Sequence, residues 1–343
     1  MDLVVTDPTY AAADRTGLGG AFDRIAGKLL NDPRDLPFAR LIVMLTAFVL
    51  PSAAYLFWPG HFRWWLAVPY LAMLLFFLGP FILMLHNTSH GRLFRRRFRW
   101  MNAYIPWVLG PFFGETPETY FAHHVGMHHP ENNLRDDLSS TMPYRRDSFF
   151  GFLQYFGRFF VFGLFELVAH FAKRRRFALL RRTLAGELTF YAVAAALFVL
   201  DWRAAIVTVA VPFCFTRFMM MAGNWGQHAF IDPDAPENCY RNSITCINSG
   251  YNRRCFNDGY HIGHHLKQTR HWTDMPVEFS ANRATYAREG AIVLTGIDFF
   301  GVWVLLMLKR YDLIAKRVVD LDGSGRSLAE IEAMLRSRTK AFA

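Results

Sequence analysis

The amino-acid sequence predicts an all-α, polytopic membrane protein with two transmembrane helical hairpins, four spans in all. Two observations predict this fold class. Hydrophobic residues make up 52% and aromatic residues 16% of the 343 residues, and the mean hydropathy is +0.12, which is more apolar than an ordinary soluble enzyme. Apolar runs of about 20 residues, the length that crosses a bilayer, also occur in pairs joined by very short connectors.

The first predicted hairpin runs from Ala39 to about Trp58 and from Trp64 to about Leu85. Its connector, PGHFR, has five residues, so the second helix must return antiparallel to the first. The chain thereby comes back to its starting side of the membrane immediately before His86.

The second predicted hairpin joins Glu187–Leu200 to Ala204–Met221 through a three-residue connector, Asp201-Trp202-Arg203. Between the hairpins, residues 104–114 are interrupted by prolines, and we expect a half-buried hairpin there. Phe149–Phe171 carries charged residues, which favours a helix lying in the interface. Ala291–Leu308 is apolar but contains Asp298, and we expect an interfacial helix there as well.

Three regions follow from this pattern. Residues 1–38 form an N-terminal cytoplasmic arm with a short surface helix at Ala21–Leu30, residues 39–309 form the membrane domain, and residues 310–343 form a C-terminal cytoplasmic tail helix. The tail helix is predicted from the capping-box pattern Ser327-Leu-Ala-Glu330.

The distribution of basic residues predicts the orientation. The two hairpin tips contain only Arg63 and Arg203, whereas residues 86–182 and 223–343 each contain 15 Lys and Arg. Because short cytoplasmic loops carry the excess of Lys and Arg, the hairpin ends that bear the histidines are predicted to face the cytoplasm under a helical cap. The net charge of +10 fits a membrane surface, and the chain contains no nucleic-acid-binding motif.

Histidines recur at helical i, i+4 spacing at the same ends of the predicted hairpins. Imidazoles at this spacing share one face of a helix, with their Cβ atoms about 5–6 Å apart, and can bind one ion. Asn224 precedes His228 by the same interval and adds a neutral oxygen. The candidate metal ligands are His86, His90, His124, His128, His129, Asn224, His228, His261, His264 and His265.

Nine imidazoles exceed the four ligands of a single zinc ion, so the pattern predicts two metal ions in a cap at this side of the membrane. Imidazole suits iron, copper, zinc and nickel, and the ligand type leaves the choice among them open. The four cysteines show no C-x-x-C spacing, which disfavours a thiolate site. Acidic residues near the histidines are candidates to hold their second ring nitrogen; these are Glu131, Asp136, Asp137, Glu237 and Asp258.

The motifs HNTSH, HHVGMHH, NWGQH and HIGHH, placed after two membrane hairpins, resemble the histidine boxes of the integral-membrane fatty acid desaturase and hydroxylase superfamily. The resemblance covers roughly residues 39–275. It implies that residues 39–309 are a catalytic domain with two Fe ions, that O₂ is a co-substrate, and that the nine histidines and Asn224 are the ligands. It also implies an acyl-chain substrate from fatty acid metabolism and an external electron donor of the ferredoxin, rubredoxin or cytochrome b5 type.

The resemblance implies an integral membrane protein, as in a bacterial inner membrane, that desaturates an acyl chain with O₂ and two external electrons. Oxidative decarboxylation of free fatty acids to 1-alkenes and hydroxylation of alkyl chains stay open, because members of the superfamily carry out all three reactions. A metal transporter or sensor is a further alternative. Transporters, however, place their ligands near the middle of the membrane, whereas these histidines lie at hairpin ends.

Overall fold

The structure is a computed structural model that describes residues 3–10 and 17–342. Part of the predicted N-terminal arm therefore lies outside the described residues. The described chain is mostly helical. Its α-helices, in chain order, are α1 (Gly17–Leu29), α2 (Leu36–Leu56), α3 (Trp64–His90), α4 (Thr119–His123), α5 (His129–Glu131), α6 (Phe149–Lys173), α7 (Phe177–Leu200), α8 (Trp202–Ala205), α9 (Val211–Gln227), α10 (Cys239–Asn242), α11 (Gly250–Arg254), α12 (His261–Leu266), α13 (Met275–Ala281), α14 (Arg283–Arg288), α15 (Phe299–Met307), α16 (Tyr311–Ala315) and α17 (Leu328–Ser337).

Short 3₁₀ and π turns connect several of these helices. The region predicted as a half-buried hairpin forms a π turn at Ile105–Leu109 and a 3₁₀ turn at Gly110–Phe113. A further π turn, Ile206–Ala210, joins α8 to α9 into one long helical stretch. Two strands, β1 (Ile244–Ile247) and β2 (Ile292–Thr295), complete the described elements.

Five helices among the described residues are long and apolar enough to cross a membrane: Pro33–Leu56, Trp64–His90, Phe149–Lys173, Phe177–Leu200 and Trp202–Gln227. Four of them correspond to the predicted spans, and the fifth is α6. Their outer surfaces are apolar, since Phe76 of α3 is 59% exposed and Phe165 of α6 is 71% exposed. Large apolar side chains in such numbers at a surface are typical of helices in contact with lipid.

The chain divides into two compact units. The N-terminal unit comprises Tyr10–Val125 and His170–Arg217, and the C-terminal unit comprises Met1–Thr9, Gly126–Ala169 and Phe218–Ala343. In the N-terminal unit α2 packs against α3, and α4 packs against α7. The backbone approaches closely at Gly186 of α7, where a Cβ atom would lie 1.7 Å from the carbonyl oxygen of Pro117.

A small parallel sheet in the C-terminal unit corrects the prediction of an all-α fold. Ile244 of β1 pairs with Ile292 of β2. Side chains alternate between the two faces: Cys246 and Leu294 join a core with α15, α16 and α17, whereas Ile247 and Val293 join a core with α12, α13 and α14. Both faces of the two-stranded sheet are therefore buried, as is usual for parallel strands.

The same sheet corrects the prediction of one helix over Ala291–Leu308. The first part is β2, and a turn at Gly296 (φ +68°) separates it from α15. Asp298 begins α15 as its N-cap, because its carboxylate accepts a hydrogen bond from the backbone N–H of Gly301 at 2.7 Å. The nine residues of α15 span about 14 Å, too short to cross a membrane.

Two predicted helices are present. Helix α1 overlaps the helix predicted at Ala21–Leu30, and the capping box at Ser327 and Glu330 begins α17. Helix α17 packs on α16, so the tail is part of the C-terminal unit.

Candidate metal centre

Four histidines converge in the C-terminal unit. His128 ends the π turn His124–His128, His228 follows α9, and His261 and His265 lie one helical turn apart on α12. The candidate ligand nitrogens of all four lie within 4.8 Å of one another. Nε2 of His261 is 3.2 Å from Nε2 of His228 and 3.0 Å from Nε2 of His265. Two nitrogens bound to one ion at about 2.1 Å and at right angles lie about 3.0 Å apart, so this spacing suits neighbouring ligands of one metal.

Oxygen atoms hold the second ring nitrogen of three of these histidines. Nδ1 of His128 lies 2.7 Å from the carboxylate of Asp137, and Nδ1 of His228 lies 2.9 Å from the backbone carbonyl of Asn242. Nδ1 of His265 lies 2.9 Å from the side-chain carbonyl of Asn132. Because these oxygens accept, each Nδ1 carries the proton and each Nε2 presents its lone pair to the cluster. Converging lone pairs 3.0–3.2 Å apart repel one another unless a cation lies among them, so the donor set fits a bound metal.

Burial supports the same protonation state. Desolvation lowers the pKa of His228 to about 4, and desolvation together with the neighbouring His265 lowers the pKa of His261 well below its usual value. Both imidazoles are therefore neutral at neutral pH, the form that binds metal ions. Burial raises the pKa of Asp137, but His128 and the hydrogen bonds from Ser139 oppose it, so that this pKa lies well below its usual range. Asp137 therefore remains an ionised acceptor for His128.

The loop before α12 is locked to the sheet. The N–H of Cys246 in β1 donates to the carbonyl of Gly259 at 2.7 Å, and the N–H of Gly259 donates to the side-chain carbonyl of Asn252 at 3.0 Å. A Cβ atom at Gly259 would lie 2.2 Å from the carbonyl oxygen of Cys246, so only glycine fits there. This contact determines where α12 begins, and hence where His261 and His265 point.

Three further predicted residues lie in this unit. Nε2 of His129 is 2.9 Å from Nε2 of His264. The amide nitrogen of Asn224 donates to the carbonyl of Ser139 at 3.0 Å and to the hydroxyl of Tyr155 at 2.7 Å. These two hydrogen bonds orient the amide of Asn224 and leave its carbonyl oxygen as the atom that can serve a metal or a water.

The N-terminal unit holds the other three predicted histidines. His86 and His90 occupy the last turns of α3 at i, i+4 spacing, and His124 follows α4. Their candidate ligand nitrogens lie within 4.8 Å of one another, and Nε2 of His124 is 3.0 Å from Nε2 of His90.

Comparison with known proteins agrees with this geometry. The family model described as fatty acid desaturase matches residues 62–295, more than half of the chain. The chain belongs to the fatty acid desaturase family. Neither a curated protein nor a solved structure matches it. The matched residues include every histidine of the desaturase boxes described above.

Asn132 and Asn242 support the desaturase boxes and are not among the residues predicted from the sequence. Of the five acidic residues predicted to hold a histidine, Asp137 contacts His128, and Asp258 accepts from the hydroxyl of Tyr251 at 2.9 Å. Asn132 contacts His265, and Asn242 contacts His228. The two asparagines also contact each other, since Nδ2 of Asn242 donates to the backbone carbonyl of Asn132 at 2.8 Å. The position of Asn132, three residues after His129, is the one local signal that points to such a role.

Proposed function

We propose that the chain is a membrane di-iron oxidoreductase that desaturates an acyl chain with O₂ and two external electrons. The four-histidine cluster around His261 carries this proposal, because neutral, oriented imidazoles are a strong ligand set for a divalent first-row metal. Desaturation converts two neighbouring methylenes, O₂, two electrons and two protons into a double bond and two molecules of water. The iron supplies the oxidising chemistry when bound.

The protein's own contribution is to bind the ions, to orient their ligands and to keep water from the site. His128, His228, His261 and His265 are the proposed ligands of one ion, with Asn224 at the same ion directly or through a water. The other five histidines also remain proposed metal ligands: His86, His90 and His124 in the N-terminal unit, and His129 and His264 in the C-terminal unit. The Nδ1 contacts of His128, His228 and His265 keep Nε2 deprotonated, so that the ligands are ready before the metal arrives.

The number of crossing helices supports the four-span arrangement. His128 precedes α6, whereas His228 follows α9, and three of the five candidate spans lie between them. If all three crossed the membrane, His128 and His228 would lie on opposite sides, yet their ring centroids are 5.6 Å apart. This proximity supports a proposal in which an even number of them crosses, with α7 and the α8–α9 stretch as the second hairpin. The ion pair between Arg158 and Glu166 supports the proposed position of α6 along the interface.

The cytoplasmic orientation of the centre rests on the basic residues. Exposed arginines follow α3 at Arg92, Arg95, Arg96, Arg97 and Arg99, and Lys173–Arg175 are exposed between α6 and α7. These clusters suit anionic lipid headgroups, and they equally suit an acidic electron carrier of the ferredoxin, rubredoxin or cytochrome b5 type. Raised ionic strength should slow electron transfer from such a carrier, which stopped-flow reduction measures directly.

Metal analysis of the purified protein in detergent tests the centre. About two irons per chain are expected, in line with two sets of four to five ligands. Zinc or copper as the only metal in an active preparation would contradict a di-iron centre.

Product analysis tests the reaction. Gas chromatography–mass spectrometry of lipids and headspace from a host that expresses the chain with a ferredoxin and its reductase should reveal a new internal double bond. Terminal alkenes one carbon shorter than the acid would instead establish decarboxylation, and hydroxylated chains without unsaturation would establish hydroxylation. A matched culture that expresses the His261→Ala variant controls for the host's own enzymes.

A further inference from the structure

We propose that Glu187, a carboxylate buried in membrane helix α7 of the N-terminal unit, is a positioning residue that orients His124 for metal binding. The inference rests on the proposed function, because it concerns how the chain holds an ion at His86, His90 and His124. Its test, however, measures metal binding and can fail independently.

Glu187 is an unusual side chain for its place. It is 4% exposed in a helix that is otherwise apolar enough to cross a membrane. A carboxylate in such surroundings is costly unless hydrogen bonds stabilise it, and ionisable residues in membrane helices generally have a function. Oε1 of Glu187 accepts from the hydroxyl of Thr116 at 2.5 Å and from the hydroxyl of Thr119 at 2.7 Å.

Thr119 links this carboxylate to the histidines. It is the first residue of α4, whose last residue is His123, and the backbone N–H of His124 bonds to the carbonyls of Tyr120 and Phe121. A helix of five residues has little stability of its own, so contacts at its first residue determine its direction. The ring of Tyr120 also stacks on that of His124, with centroids 5.3 Å apart. Glu187 therefore acts on His124 through one short and continuous piece of structure.

Neighbouring contacts clamp the same segment against α7. Gly186 touches the backbone of Pro117, as described above, and Glu118 pairs with Arg182 one turn earlier on α7. Glu118 also accepts from the indole N–H of Trp107 at 2.8 Å. Three successive residues, Pro117, Glu118 and Thr119, are thus held by α7, and Thr119 is the one among them that belongs to the helix leading to His124.

A guanidinium and a second carboxylic side chain lie in the same region. Arg217 donates to the carbonyl of Gly114, and its Nη2 lies 3.5 Å from the hydroxyl of Thr116. Glu115, 5% exposed, is the second carboxylate in this region. Burial raises the pKa of Glu115 to about 7, with Arg217 opposing and Glu187 adding to the increase. The cluster thus contains two carboxylic side chains and one guanidinium, and the raised pKa keeps Glu115 partly protonated near neutral pH.

Substitution of Thr119 by valine is the sharpest test. Thr119→Val keeps the shape of the side chain and removes only the 2.7 Å hydrogen bond to Glu187. We expect one of the two ions to bind about 10- to 100-fold more weakly, the effect of losing an outer contact of a metal site. Anaerobic titration of the purified protein with Fe²⁺ against a chelator measures both affinities. Mössbauer spectroscopy should show altered parameters for one iron and unchanged parameters for the other.

Matched variants separate orientation from general stability. Thr208→Val removes a buried hydroxyl of the same unit that bonds only along its own helix, to the carbonyl of Ala204 at 2.9 Å, and should leave both ions unchanged. Glu187→Gln retains a side-chain oxygen that can accept from both threonines and should keep wild-type affinity, whereas Glu187→Leu should lose the ion. If Glu187→Leu does not fold, Thr119→Val and Glu187→Gln still decide the question.

Two outcomes would overturn the inference. Thr119→Val could bind both ions as the wild type does, or it could lower the melting temperature without changing either affinity or either Mössbauer signal. A wild-type protein that binds no pair of irons would instead overturn the proposed function, so the two failures are distinguishable.

Discussion

The two units hold their histidines by different means. In the C-terminal unit, oxygens of Asp137, Asn132 and Asn242 contact the imidazoles of His128, His265 and His228 directly. In the N-terminal unit, His86 and His90 lie one turn apart on α3, and His124 follows a short helix whose first residue, Thr119, donates to Glu187. Two of the three oxygens in the C-terminal unit belong to side chains, and the third is the backbone carbonyl of Asn242, whereas the backbone carbonyls within a long helix such as α3 are occupied by its own hydrogen bonds.

The largest expected effect comes from removing one ligand in each unit. His261→Ala and His90→Ala should each reduce turnover to below about a tenth of wild type and each reduce the iron content from about two to about one per chain. Iron analysis beside an activity assay measures both quantities. Loss of both irons from either single variant would show that the clusters bind metal cooperatively, and the comparison between two separate modes of support would no longer hold.

Arg146 offers the next test, because its guanidinium donates to many backbone carbonyls of the C-terminal unit and also lies over the ring of Phe342. It is fully buried, and its guanidinium donates to carbonyls in three segments. The acceptors are Thr141, Met142, Tyr144, Ala229, Arg338 and Lys340. Arg146→Lys leaves several of these carbonyls without a donor, at about 1–3 kcal/mol each, and should lower the melting temperature strongly.

The adjacent residue provides the control for that variant. Arg145 is exposed and pairs with Asp147, so Arg145→Lys should change the melting temperature little. Because Ala229 follows His228, Arg146→Lys should also weaken iron binding in the C-terminal unit. Equal melting temperatures for the two variants would show that the carbonyl contacts of Arg146 do not stabilise this unit.

A substitution at Asp137 tests whether direct oxygen contacts support the histidines of the C-terminal unit. Asp137→Asn removes the charge that faces Nδ1 of His128 and should weaken Fe²⁺ binding by about 10- to 100-fold in the C-terminal unit. Asp136→Asn is the matched control, since Asp136 is the exposed neighbour. Chelator competition should separate the two variants clearly. Indistinguishable affinities would show that His128 does not depend on the carboxylate.

The smallest expected effect concerns pH and the N-terminal unit. The raised pKa of Glu115, about 7, means that the folded protein holds this proton more tightly than the unfolded chain does. Its contribution to stability is therefore fully present below the unfolded pKa of about 4.3 and is lost as pH rises through about 7. The Glu115→Gln side chain cannot ionise. The melting temperature of this variant minus that of the wild type should therefore be larger at pH 8 than at pH 5. Parallel shifts at both pH values would contradict a buried, titrating Glu115.

The sequence predicted the features that depend on local spacing. Hydrophobic runs of membrane-spanning length indicated four of the five apolar helices, and the i, i+4 intervals indicated which histidines share a helical face, as His261 and His265 do on α12. A capping box is equally local, and α17 begins at the predicted Ser327. Such features require only the geometry of a single helix, so a linear pattern suffices to predict them.

Tertiary structure alone decided which oxygens support the histidines and where the strands form. Asn132 and His265 are 133 positions apart, and Thr119 and Glu187 are 68 positions apart, so neither contact has a local pattern. The segment ITCI becomes a strand only because IVLT, 48 residues later by register, pairs with it and both faces are then buried. Local propensity could not distinguish IVLT from the start of an apolar helix, because β-branched runs gain their stability in a sheet from packing against distant neighbours.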